Sequence, residues 1–158
     1  MERVRNSGKS YSVVAIVLLL LLSLAAFSQT PTTRILFVFD DSFSMYGQWQ
    51  TGIKIDKAKA MFCDFLDSLK GKPNLELALR IYGHQFPLQP QRNCEDSKLE
   101  VAFGNPESNI PKMKAKIKAL VPTGTTPIAY SLGQCANDFP KKANTRNVII
   151  LITDGIEE

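Results

Sequence analysis

The chain has little of the chemistry that marks most catalytic and metal sites by residue type: its 158 residues include one histidine and three cysteines. No Cys-x-x-Cys pair occurs, so the thiol and imidazole donors of a zinc site are not assembled. There is no Gly-x-Ser-x-Gly, which argues against a nucleophile elbow at Ser42, and Gly47 and Gly52 form no phosphate-binding loop. His84 would need a nucleophile and an orienting acid to act in catalysis, and no such trio stands out. Charge of one sign is also scarce. Of the formal net +4, Arg3, Arg5, Lys9 and Glu2 contribute a net +2, and the remainder is too weakly basic to argue for nucleic acid. A composition of 44% hydrophobic and 22% charged residues suits one globular domain, and the length excludes a tandem array.

Residues 1–28 read as a signal peptide: Arg3, Arg5 and Lys9, an apolar core over 13–22, then Ala26 and Ser28 spaced for cleavage before Gln29. An N-terminal membrane anchor is the alternative, because 11–27 approaches the shortest stretch that spans a bilayer. No cysteine follows the apolar run, so lipidation is not supported. Export implies the periplasm, cell surface or extracellular space, where an odd cysteine count suggests a missing partner. Cys63 and Cys135 fall at apolar helical positions and read as buried hydrophobes. Cys94, in a polar loop, is the better disulfide candidate.

After a short linker over 29–33, residues 35–39 are apolar on both faces and stop at two aspartates, as a strand buried in a parallel sheet does. Ala58, Met61, Phe62, Phe65, Leu66 and Leu69 recur at helical spacing and predict a helix of about 15 residues ending before Gly71 and Pro73. A strand over 75–82, a loop over 85–96 and a short strand near 99–103 follow. The next helix starts at Pro106 or Pro111 and carries Ile110, Met113, Ile117 and Leu120 on one face, with Lys112, Lys114, Lys116 and Lys118 as its solvated side. Thr126 before Pro127 reads as the N-cap of a helix bearing Ile128, Leu132, Cys135 and Phe139. Residues 147–152 form a second apolar strand, read as central, that runs into Thr153-Asp154-Gly155. The alternation predicts an α/β fold with a Rossmann-like, mostly parallel central sheet flanked by helices.

Ligands in such sheets gather beyond the carboxyl ends of the strands. Asp40 and Asp154 both stand there, and two neighbouring carboxylates repel unless protonated or bridged by a cation. Ser42, Ser44 and Thr126 add neutral oxygens. An all-oxygen set selects a hard ion, Mg²⁺ first because it keeps water and needs few protein ligands, with Mn²⁺ or Ca²⁺ as alternatives.

Asp40-x-Ser42-x-Ser44, a Thr-Pro turn before a helix, and an apolar strand ending in Thr153-Asp154-Gly155 resemble a von Willebrand factor A (VWA) domain with its metal-ion-dependent adhesion site. The resemblance covers residues 34–158 and implies a metal set of Asp40, Ser42, Ser44, Thr126 and Asp154. It further implies that the hydroxyls contact the ion directly or through water and that the aspartates act largely through water. An acidic side chain of a protein partner would complete the coordination. The family fold continues beyond the strand carrying Asp154, so the domain is expected to be incomplete at its C-terminus.

The resulting expectation is an exported, divalent-cation-dependent protein-binding module. The alternatives are a metal-dependent hydrolase, which lacks an evident base, and a structural component of the cell envelope. Asp41 is expected as a solvated loop residue, with a role behind the metal ligands as the alternative. Phe43, Met45, Tyr46 and Trp49 either form a partner-contacting rim or cover the end of the sheet; Tyr46, Trp49 and His84 are the rim candidates.

Overall fold

The computed structural model describes residues 30–155; the signal-peptide reading of 1–28 lies outside them. The chain runs β1 (Thr32–Asp40), a 3-10 turn (Phe43–Tyr46), β2 (Gln48–Trp49), β3 (Gly52–Ile53), α1 (Lys54–Ser68), β4 (Leu75–Tyr82), β5 (Ser97–Gly104), α2 (Pro106–Ala119), α3 (Ile128–Asp138) and β6 (Thr145–Ile152). β1 therefore takes in the last two residues of the expected linker.

The main sheet has the order β5-β4-β1-β6. β1 is parallel to both neighbours and β5 is antiparallel to β4. Because side chains alternate along β1, Phe37 and Phe39 enter one core with Phe62, Leu66, Leu77, Leu79, Ile110 and Ile117, whereas Leu36 and Val38 enter another with Ala78, Tyr82 and Cys135. Helices α1 and α2 cover the first face and α3 the second, which explains why the strand is apolar throughout. Cys63 packs with the first core and Cys135 with the second, so these two cannot bridge; Cys94 is exposed.

Of the two candidate starts for α2, the structure uses Pro106. Asn105 Oδ1 accepts the Ser108 amide at 2.9 Å, a cap that leaves Pro111 inside the helix. Lys114 and Lys116, on its solvated side, pair with Asp67 and Glu100.

Among the described residues β6 pairs on one side only, with β1, which leaves Ile149 43% exposed as expected for an uncovered strand. One expectation needs correction. The period of α1 is right, but its stripe is wider than its buried face: Phe62 and Leu66 are buried while Met61 and Phe65 are exposed. Between α1 and β6 these residues border an open apolar groove of about 690 Å³.

Where β4 and β5 slip register, Asn109 supplies the missing pairing. Its buried Nδ2 donates to Leu77 O at 2.7 Å and to Ala102 O at 2.8 Å. Asn109→Ala leaves both carbonyls short of a partner, and urea denaturation is expected to show a loss of about 2 kcal/mol.

Candidate metal centre

β1 delivers Asp40 to the carboxyl end of the sheet, and parallel pairing of Phe39 with Ile152 brings Thr153 and Asp154 out beside it. Asp40 is buried and accepts two hydrogen bonds, from the Ser42 amide to Oδ1 and from Thr153 Oγ1 to Oδ2, both at 2.9 Å. Ser42 Oγ lies 3.0 Å from Ser44 Oγ, which donates to Asp154 Oδ1 at 3.0 Å. The other Asp154 oxygen accepts from Lys54 Nζ at 2.7 Å. Asp40, Ser42, Ser44 and Asp154, 114 residues apart at the extremes, thus form one polar cluster.

Thr126 arrives on a separate loop. Phe43 N donates to Gly124 O and Gly124 N to Gly83 O, each at 2.9 Å, so this loop is laced between the ends of β1 and β4. Gly83 (φ +71°) makes the approach possible: a Cβ there would sit 2.5 Å from Thr125 O and 2.8 Å from Ser42 Cα. Thr126 is buried, but it is not the N-cap. The cap is Pro127, whose carbonyl accepts the Ser131 amide at 3.0 Å and Ser131 Oγ at 2.7 Å. The helix begins one residue later than expected, so capping does not claim the Thr126 hydroxyl.

Asp41 is not solvated. It is wholly buried, the Val121 amide is too poorly aligned to satisfy either carboxylate oxygen, and burial raises its pKa to about 7, with Asp40 and Asp96 adding to the rise and Lys59 and the Val121 amide opposing it. Tyr82, also buried, has its phenol pushed upward by burial and by Asp40, and so remains protonated.

The rim candidates divide. Trp49 is 52% exposed, and Tyr46 is exposed with Phe43 packed edge-on at 5.9 Å. Met45, by contrast, is buried and seals the core. His84 turns toward β5, with Nε2 at 3.2 Å from Glu100 Oε1. Glu100 is held low, at about 2, because its bonds to Lys116, Lys98 and His84 outweigh the effect of its burial.

Sequence reasoning missed Lys54, Thr153 as the partner of Asp40, and Asp96. Asp96 is buried and collects the Gln85 amide, the Phe86 amide and Gln85 Nε2, which closes the long loop onto the sheet. Thr153 was recognisable as the residue before Asp154. Nothing in the local pattern of Lys54 or Asp96 distinguishes them from surface charges.

Among the described residues no group of three or more His, Cys, Asp and Glu side chains could hold a metal. The donor set in question has two carboxylates, the rest being hydroxyls. Two of its oxygen separations, Ser42 Oγ to Ser44 Oγ and Ser44 Oγ to Asp154 Oδ1, are 3.0 Å, the spacing of hydrogen-bonded groups, and in donor chemistry an all-oxygen set of this kind suits a hard ion such as magnesium.

In chelator the folded chain keeps a proton on Asp41 from the unfolded value near 3.8 up to about 7, so this group's contribution to stability falls as pH rises through that window. Asp41→Asn does not ionise. Its stability relative to wild type is therefore expected to improve steadily from pH 4 to pH 7, as measured by urea denaturation.

No protein-family model matches the chain. The YwmD protein of Bacillus subtilis (strain 168), described as uncharacterized, is 32% identical over 127 residues, which is 79% of this chain and 56% of YwmD. Among solved structures, the vWF domain of the type V pili tip protein Mfa5 from Porphyromonas gingivalis aligns over 82% of this chain and 40% of its own, with a TM-score of 0.60 and 22% identity. The pilus adhesin SpaC from Lactobacillus rhamnosus GG aligns over 82% of this chain and 16% of its own, with a TM-score of 0.66 and 16% identity. The chain thus spans little more than half the length of YwmD and less of the others. At these identities the structural likeness concerns the fold, and the fold is VWA-like: a mostly parallel sheet flanked by helices.

Proposed function

We propose that the chain is a divalent-cation-dependent binding module that recognises an acidic group on a protein partner. The observation that carries this reading is the line Ser42 Oγ, Ser44 Oγ and Asp154 Oδ1, spaced at 3.0 Å at the mouth of the sheet. Asp40, Ser42, Ser44, Thr126 and Asp154 would hold the ion, Mg²⁺ first. When bound, the ion supplies a Lewis-acidic position that attracts a carboxylate.

The chain's own residues prepare that position. The Ser42 amide and Thr153 hydroxyl fix Asp40 from both sides, so its charge is aimed without further ordering. Ser44 couples the β1 loop to Asp154, and the Gly83–Gly124 contact holds the Thr126 loop against Ser42. The exposed Phe43, Tyr46 and Trp49 offer apolar contact to the residues flanking a partner's acid. Binding is favoured over hydrolysis because His84 faces Glu100, which leaves Ser42 and Ser44 with carboxylate and hydroxyl neighbours.

The likeness to pilus proteins supports adhesion or a related interaction, and residues 1–28 support export to the periplasm, cell surface or beyond. Among the described residues no helix is long and apolar enough to cross a membrane.

Magnesium alone tests the metal reading. Saturating Mg²⁺ is expected to raise the wild-type melting temperature by several degrees, with EDTA reversing the rise. Ser44→Ala, which removes a partly exposed hydroxyl, is expected to fold normally and lose that response. Calorimetry that shows no heat of binding to wild type, together with an unchanged melting temperature, would rule the reading out.

A further inference from the structure

Lys54 is absent from the expected donor set, yet its ammonium is the cation nearest to hand. It lies 2.7 Å from Asp154 Oδ2, while the other oxygen of the same carboxylate receives Ser44 Oγ at 3.0 Å. Asp154 is mostly buried and Lys54 about one-third exposed, so the pair stands at the boundary with solvent, where charge matters and exchange remains open.

The contact is built rather than incidental. β2 and β3 form a short hairpin, with Gln48 paired to Ile53 and Trp49 to Gly52. This returns the chain so that the Lys54 amide donates to Gly47 O at 2.9 Å. Gly47 N in turn donates to Ser44 O at 2.9 Å, which ties the base of the lysine to the backbone of the serine loop. The side chain then crosses directly over Gly47: a Cβ at that position would lie 3.2 Å from Lys54 Cε and 3.3 Å from Nζ.

We infer that Lys54 is a tethered competitor for the divalent cation, occupying Asp154 in the metal-free chain and setting the concentration at which the ion enters. The inference rests on the metal reading above. Its physical basis is simple. Asp154 has two oxygens, and the ion must either displace the ammonium from one of them or accept a like charge nearby; both weaken its binding. The same ammonium neutralises Asp154 when no ion is present, so the metal-free chain does not leave the Asp40–Asp154 pair uncompensated. Removing the lysine charge should therefore make the metal-free domain less stable and the metal site tighter. A merely structural lysine would give the first effect alone.

The test is magnesium binding by calorimetry, with melting temperatures in EDTA and in saturating Mg²⁺, on wild type, Lys54→Gln and Lys54→Arg. Lys54→Gln is expected to bind Mg²⁺ roughly five- to tenfold more tightly, to melt lower than wild type in EDTA, and to gain more from the ion. Lys54→Arg keeps the charge and is expected to stay near wild-type affinity. The advantage of Lys54→Gln should shrink in concentrated potassium chloride, which screens the lost charge. Wild-type binding with equal or weaker binding by Lys54→Gln would overturn the competitor role and leave the metal reading standing. Absence of Mg²⁺ binding in all three proteins would overturn both.

Discussion

The parallel pairing of β1 on both of its edges is the constraint on which the site depends. Parallel strands end on the same side, and here the register is specific: Phe39 lies opposite Ile152, and Asp40 opposite Tyr82. A slip of one residue would exchange Phe37 and Phe39 for Leu36 and Val38 between two cores of different shape, and both cores resist that exchange. Packing along the strand therefore fixes the position of a carboxylate at its end. The Ser42 amide then holds Asp40 locally, and residues after Ile152 emerge where Thr153 can reach it.

That placement gathers negative charge where water is scarce, and each acid meets the cost differently. Asp40 takes an amide and a hydroxyl, and Asp96 takes two amides and a side-chain amide. Asp154 takes Ser44 and a lysine. At Asp41 burial outweighs the opposing Lys59 charge and Val121 amide, and it holds its proton up to about pH 7 instead. A buried carboxylate with so little compensation is pushed toward neutrality, and a further cation among its neighbours would relieve part of that push. The pattern of satisfied and unsatisfied acids is thus uneven, concentrated beside the opening where Ser44 and Asp154 meet solvent.

The sheet was legible because its signals are local. Continuous apolar runs ending in aspartate, and helical stripes bounded by Gly71 and by Pro106, need no knowledge of distant contacts. Asp40, Ser42, Ser44 and Asp154 could be grouped because strand ends in a parallel sheet converge by topology alone. What could not be read was whatever depends on packing across elements. Asp41 looked like an exposed loop residue because its burial is imposed by the loops that cross it. Thr126 looked like a cap because Thr-Pro is the usual chemistry of helix starts, but the carbonyl of Pro127 took that role through Ser131.

The β2–β3 hairpin joins the chemistry of the site to its surroundings. Two paired residues on each side turn Trp49 outward and bring Lys54 inward, so the exposed ring and the ammonium belong to one short unit. Trp49, Lys54 and Asp154 also border the apolar groove between α1 and β6, whose floor includes Phe37 and Ile150. The hydrogen bond from the Lys54 amide to Gly47 O closes the base of the hairpin. The charge facing Asp154 is consequently not set at the carboxylate alone. The ammonium is placed by the same hairpin that carries Trp49, so the polar cluster at Asp154 and the exposed ring share one backbone unit.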